Sequence, residues 1–199
     1  NEDYLEKIKK LKLPNTKIKL LQQLLGRAIK EYTKINKVQG IDFINRMQSL
    51  VNRYNDRKEE DILISNVLEE FTDEILDLYH ELKKEMDSFV EMGIDFEEKA
   101  FYDILKSLTV KYDFFYADDK LIDLAQKVKQ VVDDKAKYTD WNNRNDIKAE
   151  LKADLIILLA KHGYPPIDRD EVYKEIFEQA ENFKRHRIIN AWHVLSQFK

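Results

Sequence analysis

The sequence predicts an all-α fold of seven to eight helices, and three observations carry that expectation. Apolar residues recur three and four positions apart along most of the chain, the spacing that keeps side chains on one face of a helix. Only 4 glycines and 3 prolines interrupt 199 residues, too few for the turns a many-stranded sheet needs. Charged residues make up 36% of the chain and apolar ones 43%, which suits helices with one solvated and one buried face.

The elements follow in order. Pro14, with Asn15 or Thr16 as a cap, opens a helix carrying Ile18, Leu21, Leu25, Ala28, Tyr32 and Ile35 on one side and ending before Gly40. A second helix starts at about Asp42, with Phe43, Met47, Leu50, Val51 and Tyr54 inward. Residues 57–91 hold no glycine or proline and repeat the spacing from Ile64 to Phe89, predicting one long helix, or two nearly collinear ones, stopped by Gly93. Asp95 and Glu98 have capping-box spacing ahead of Phe101, Ile104, Leu105 and Leu108. Past the aromatic stretch Tyr112 to Tyr116, a cap at Asp118 precedes a helix burying Leu121, Leu124, Val128 and Val131. Residues 138–145 lose periodicity around Trp141 and read as a connection. The next helix, with Ile147, Leu151, Leu155 and Leu158, runs to His162, where Gly163 is the expected left-handed terminator and Pro165-Pro166 forbid continuation. Asp168 and Glu171 repeat the capping box, and Val172, Ile176, Phe177, Ala180 and Phe183 mark a last helix reaching toward Trp192 and Leu195.

Composition bounds the function classes. There is no cysteine, which excludes disulfides, thiolate metal sites and a Cys nucleophile and fits a reducing compartment. The longest apolar run, Leu155 to Ala160, is too short to cross a bilayer, so a cytoplasmic protein is expected. Asn1 is an unusual first residue and suggests a piece of something longer. The net charge of −4 hides polarity: residues 1–40 carry ten Lys/Arg against four Asp/Glu, and residues 56–98 carry four against sixteen. Such runs suit charged partners, and solvated helix faces produce them too.

Catalytic motifs are missing. The glycines at 26, 40, 93 and 163 are isolated, so no loop can crowd backbone N–H groups around a phosphate. No strand is expected that could carry a restriction-type nuclease acid. Asp77-x-x-His80 puts two metal ligands on one helical face, but a bundle centre needs a second such motif, and none of His162, His186 or His193 has a carboxylate three residues before it. Ser49, Ser65, Ser88, Ser107 and Ser196 fall inside expected helices with no glycine elbow. Trp141 and the Phe114 to Tyr116 cluster read as core anchors, with base stacking as the competing role. Lys184, Arg185 and Arg187 form a candidate phosphate-contacting patch, for which a charged end to a final helix is the alternative.

Particular strings add what periodicity does not. Leu13 to Leu21 (LPNTKIKLL), Gly93 to Leu105 (GIDFEEKAFYDIL), the Asp140-Trp141 pair and Lys161 to Pro166 (KHGYPP) together resemble the C-terminal region of the R (HsdR) subunit of type I restriction-modification enzymes, in matching order over residues 13–183. The resemblance implies a domain at 13–183 and a linker at 1–12 from a preceding motor region, while residues 184–199, beyond it, read as a basic and helical C-terminal extension. It also implies a parent that translocates and cleaves DNA with ATP and Mg, both bound outside this chain. The chain itself is expected to hold no cofactor and no catalytic residue. Its role would be assembly, docking on the methyltransferase (M) and specificity (S) subunits through Trp141 and the Tyr164-Pro165-Pro166 turn. Two other readings stay open: a DNA-contacting domain using the basic N-terminal helix and the 184–187 patch, and a helical enzyme with a metal at Asp77 and His80.

Overall fold

The computed structural model of the chain describes residues 2–57, 65–135, 144–167 and 170–186. Among these residues there are eight α-helices and no strand. They are α1 (Glu2–Lys9), α2 (Pro14–Ile35), α3 (Lys37–Asp56), α4 (Ser65–Asp87), α5 (Phe96–Lys111), α6 (Asp118–Lys135), α7 (Asn145–Lys161) and α8 (Asp170–His186). The expected extension through Trp192 and Leu195, the connection around Trp141 and the cap at Asp168 lie outside the described residues. The described residues form two compact units, one within 2–33 and 39–87, the other within 34–38 and 88–186.

In the first unit α2, α3 and α4 run antiparallel in sequence. Asn15 near the start of α2 accepts a hydrogen bond from the Tyr54 hydroxyl near the end of α3 (2.6 Å), while Tyr32 meets Phe43 edge to face at 6.3 Å. Arg46 and Arg53 of α3 pair with Glu81 and Glu74 of α4, the reversed order of an antiparallel pair. The core holds Ile18, Leu21, Leu25, Ile29, Phe43, Leu50, Ile75, Leu78 and Leu82. Residues 1–12 contribute to it as well: α1 is amphipathic and buries Leu5 and Ile8.

Two boundaries and two inward positions differ from the sequence reading. Gly40 lies inside α3, which begins at Lys37, not at about Asp42. Glycine serves close approach there, since a Cβ on Gly40 would sit 2.3 Å from Thr33 Oγ1 and 2.6 Å from Thr33 Cα. Of the long helix expected over 57–91, α4 accounts for Ser65–Asp87, and turns from Ser88 end at Gly93 with φ +67°. The inward positions late in α6 and α7 are Val132 and Leu159, with Val131 and Leu158 half-buried at the core's edge. A stripe at 3.6 residues per turn drifts under strict three-and-four counting, and one position of drift accounts for both.

The second unit is an up-down-up-down four-helix bundle. α5 packs on α6 and α8, and α7 packs on α6 and α8. Asp95 caps α5 as expected, accepting from Glu97 N and Glu98 N while Glu98 returns a bond to Asp95 N. The core is continuous from Phe101, stacked edge to face on Phe183 at 5.5 Å, through Leu105, Leu121, Leu124, Val128, Leu151 and Leu155 to Tyr164. Lys129 of α6 reaches Asp95 (3.5 Å), Glu97 (3.3 Å) and Asp133 (3.0 Å), and these carboxylates hold its pKa above the ordinary lysine value against the opposing effect of burial.

Residues 34–38 are clasped in this unit by side chains. The Gln179 amide donates to Ile35 O (3.1 Å) and accepts from Lys37 N (3.2 Å), so one side chain satisfies the last carbonyl of α2 and the first N–H of α3. Asn182 donates to Lys34 O (3.2 Å). Asn36, 2% exposed, donates to Asp103 Oδ2 (2.6 Å), whose carboxylate also takes both bonds from Lys99 Nζ (2.6 and 2.7 Å).

Gly40→Ala should destabilise by about 1–3 kcal/mol in urea unfolding, because the clash with Thr33 backbone outweighs the gain of about 1 kcal/mol in helix propensity. Gly26→Ala, whose Cβ would meet only the flexible tip of Met47 at 3.3 Å, should be neutral or stabilising. Asp103→Ala should cost about 3–5 kcal/mol, because it removes the carboxylate that meets both the Lys99 ammonium and the Asn36 amide in a site where the Lys99 side chain is 10% exposed.

Candidate docking surface

One end of the second unit is built from helix termini. α5 ends in a Schellman motif: Asp113 takes the left-handed conformation (φ +52°), Phe114 N bonds Thr109 O (3.0 Å) and Asp113 N bonds Val110 O (3.4 Å). α7 ends in the same way, with Gly163 at φ +64°, Tyr164 N on Leu159 O (2.9 Å) and Gly163 N on Ala160 O (3.0 Å). In each motif the residue after the left-handed one is turned back toward the helix. Those two residues, Phe114 and Tyr164, meet edge to face at 5.4 Å.

Tyr164 is fully buried. Its ring also meets Tyr116 at 5.1 Å, and its hydroxyl donates to Leu105 O (2.7 Å). Burial raises its pKa well above the ordinary tyrosine value, so it remains a donor. Tyr116 donates to His162 O (2.7 Å), tying the two loops together; burial first, and then Asp123, raises its pKa too. Glu175 of α8 accepts from both Lys111 Nζ and Tyr112 OH at 2.7 Å, which raises the pKa of each partner.

The aromatic between these anchors points outward. Phe115 is 87% exposed, Val110 at the end of α5 is 76% exposed, and Ile157 on α7 is 66% exposed. Pro166 is exposed and Pro165 half-buried. Of the expected docking residues, then, Tyr164 is a core side chain, the prolines border the surface, and Trp141 lies outside the described residues. The Phe114 to Tyr116 cluster, expected to anchor the core, does so at Phe114 and Tyr116 but not at Phe115, and sequence reasoning missed Val110 and Ile157. The signal for Phe115 was its place between two aromatics that both turn inward, although a run of four aromatics does not by itself say which one is left out.

Among the expected phosphate contacts, Arg185 is exposed near the end of α8, while Arg187 and the side chain of Lys184 lie outside the described residues. Asp77 and His80 are both exposed on α4, and no three His, Asp or Glu side chains gather as a metal site among the described residues. No helix among those residues is long and apolar enough to cross a membrane.

Comparisons agree with the resemblance carried by the sequence. The chain is 23% identical over 181 residues to the type I restriction enzyme HindI endonuclease subunit of Haemophilus influenzae, a match covering 91% of this chain and 16% of that protein. It is 23% identical over 184 residues to the putative type I restriction enzyme MjaIXP endonuclease subunit of Methanocaldococcus jannaschii, covering 92% and 17%. The chain thus spans about a sixth of the length of these relatives. No solved structure matches it. Residues 1–186 match the family described as type I restriction enzyme HindI endonuclease subunit-like, C-terminal, and the chain belongs to that family.

Proposed function

We propose that the chain is the assembly domain of a type I restriction endonuclease subunit, docking that subunit on the methyltransferase and specificity subunits. The parent would translocate and cleave DNA using ATP and Mg held outside this chain, and this piece would fix its place in the complex.

The observation that carries the reading is the apolar end of the second unit. Phe115 lies almost wholly in water on a loop whose neighbours, Phe114 and Tyr116, are anchored on Tyr164. Leaving a large ring in water costs free energy that burial under a partner recovers. Because the loop is already held, little conformational entropy is lost when a partner covers it, which suits an aromatic anchor of an interface. Val110, Ile157 and Pro166 supply further exposed apolar groups on the helices and turn of this unit.

The 199-residue chain should co-elute with a purified methyltransferase–specificity core in size-exclusion chromatography. Phe115→Asp should raise the Kd about tenfold or more while leaving the circular dichroism spectrum and unfolding midpoint unchanged. Unaltered affinity of that variant, or no association of the unsubstituted chain, would refute the reading.

A further inference from the structure

The outer face of α2 presents a line of cations that no carboxylate among the described residues meets. Residues 19, 23, 27 and 30 fall within roughly 80° of arc at 100° per residue, on the side opposite Ile18, Leu21, Leu25 and Ala28. Lys19, Gln23, Arg27 and Lys30 are all exposed there, while Leu21, Leu24, Leu25, Ala28 and Ile29 between them are buried and Leu20 is half-buried. The one acid of α2, Glu31, is half-buried. None of Lys19, Arg27 and Lys30 makes an ion pair among the described residues, whereas Arg46 and Arg53 of the same unit each pair with a glutamate of α4. Lys10, Lys12 and Lys17, at the approach to the stripe and in its first turn, make no ion pair among the described residues either.

Where a helix face exists only to be solvated, acids and bases usually alternate on it and pair at four-residue spacing. Here the solvated face has one sign. The stripe extends about 16 Å at 1.5 Å per residue, and a duplex presents one negative charge per about 1.7 Å of its axis. Two lysines on flexible stems, an arginine that can fork onto phosphate oxygens and a glutamine between them make a surface for backbone contact without base readout.

We propose that the Lys19, Gln23, Arg27, Lys30 face of α2 binds the phosphate backbone of double-stranded nucleic acid without sequence preference. This face belongs to the first unit and the docking end to the second, and neither reading depends on the other.

The test is fluorescence anisotropy of a labelled 20-base-pair duplex titrated with the 199-residue chain between 50 and 200 mM salt. Three phosphates neutralised by the stripe contribute a log–log salt slope of about −2.7, or about fortyfold in affinity over that range. The triple variant Lys19→Gln, Arg27→Gln, Lys30→Gln should flatten the slope by about that amount while keeping its unfolding midpoint, since all three residues are exposed. A control with the same change of charge on the other unit, Lys120→Gln, Lys152→Gln, Lys161→Gln, should bind as the unsubstituted chain does. The proposal is overturned if the control loses as much as the triple variant, if the unsubstituted chain does not bind the duplex, or if poly-glutamate binds the face and the duplex does not compete. Equal binding of two duplexes of unrelated sequence is also expected, and a preference of more than about tenfold would contradict backbone contact alone.

Discussion

Asp103 places a carboxylate at 5% exposure on α5, and the packing around it depends on how that charge is met. Lys99, one turn earlier, supplies the countercharge with two short bonds, and Asn36 supplies a neutral donor from a segment 67 residues away. Desolvating both ions consumes most of what their attraction returns, so the pair contributes little net stability compared with an apolar isostere. What it contributes is position. The segment 34–38 satisfies the carboxylate when Asn36 lies against α5, and Gln179 then bonds the backbone on both sides of Asn36. Helix ends normally leave orphan carbonyls and N–H groups to water. Here the end of α2 and the start of α3 meet theirs inside the second unit, which makes a one-residue connection between two long helices possible away from solvent.

The same accounting of helix ends builds the candidate docking surface. Two Schellman motifs, one closed by Gly163 and one by Asp113, turn Tyr164 and Phe114 inward at the same end of the bundle. Once these rings and Tyr116 occupy the space between the helices, Phe115 has nowhere to go but outward. Its exposure is therefore a consequence of well-satisfied termini, and the loop that carries it is held at both flanks. A rigid apolar projection of this kind is what an interface anchor requires, and it needs no catalytic group nearby. Asp77 and His80 are both exposed on α4.

Charge is distributed by the same logic. In the bundle, Lys106, Lys111, Lys129, Lys135 and Lys148 are each engaged by a carboxylate on a neighbouring helix. On α3, Arg46 and Arg53 draw on the acids of α4. Exposed pairs of this kind contribute little stability individually, but they leave the surface locally neutral. The face of α2 is different, and the overall charge of −4 conceals it. A membership in which the relatives are named as endonuclease subunits gives that face a context, while the argument for it rests on the pattern of paired and unpaired cations.

The sequence by itself determined the helices, their buried faces and several of their ends, because these depend on residues within a turn or two of one another. The Asp95 capping box, the left-handed Gly163 and the inward stripe of α5 were all legible for that reason, as was the family through its ordered strings. Tertiary structure decided what local spacing cannot encode. Gly40 reads as a helix breaker and is instead the place where α3 crosses close to Thr33, because the residue that needs the missing Cβ belongs to another helix. Tyr164 reads as a surface group on a proline turn and is instead a core ring, because Leu105, Phe114 and Tyr116 surround it. Gln179 carries no signal at all in its own helix, since the groups it satisfies at Ile35 and Lys37 lie more than 140 residues away. Periodicity fixes which face of a helix is buried, whereas the choice of partner for a buried polar group or a crowded backbone is made only when distant segments meet.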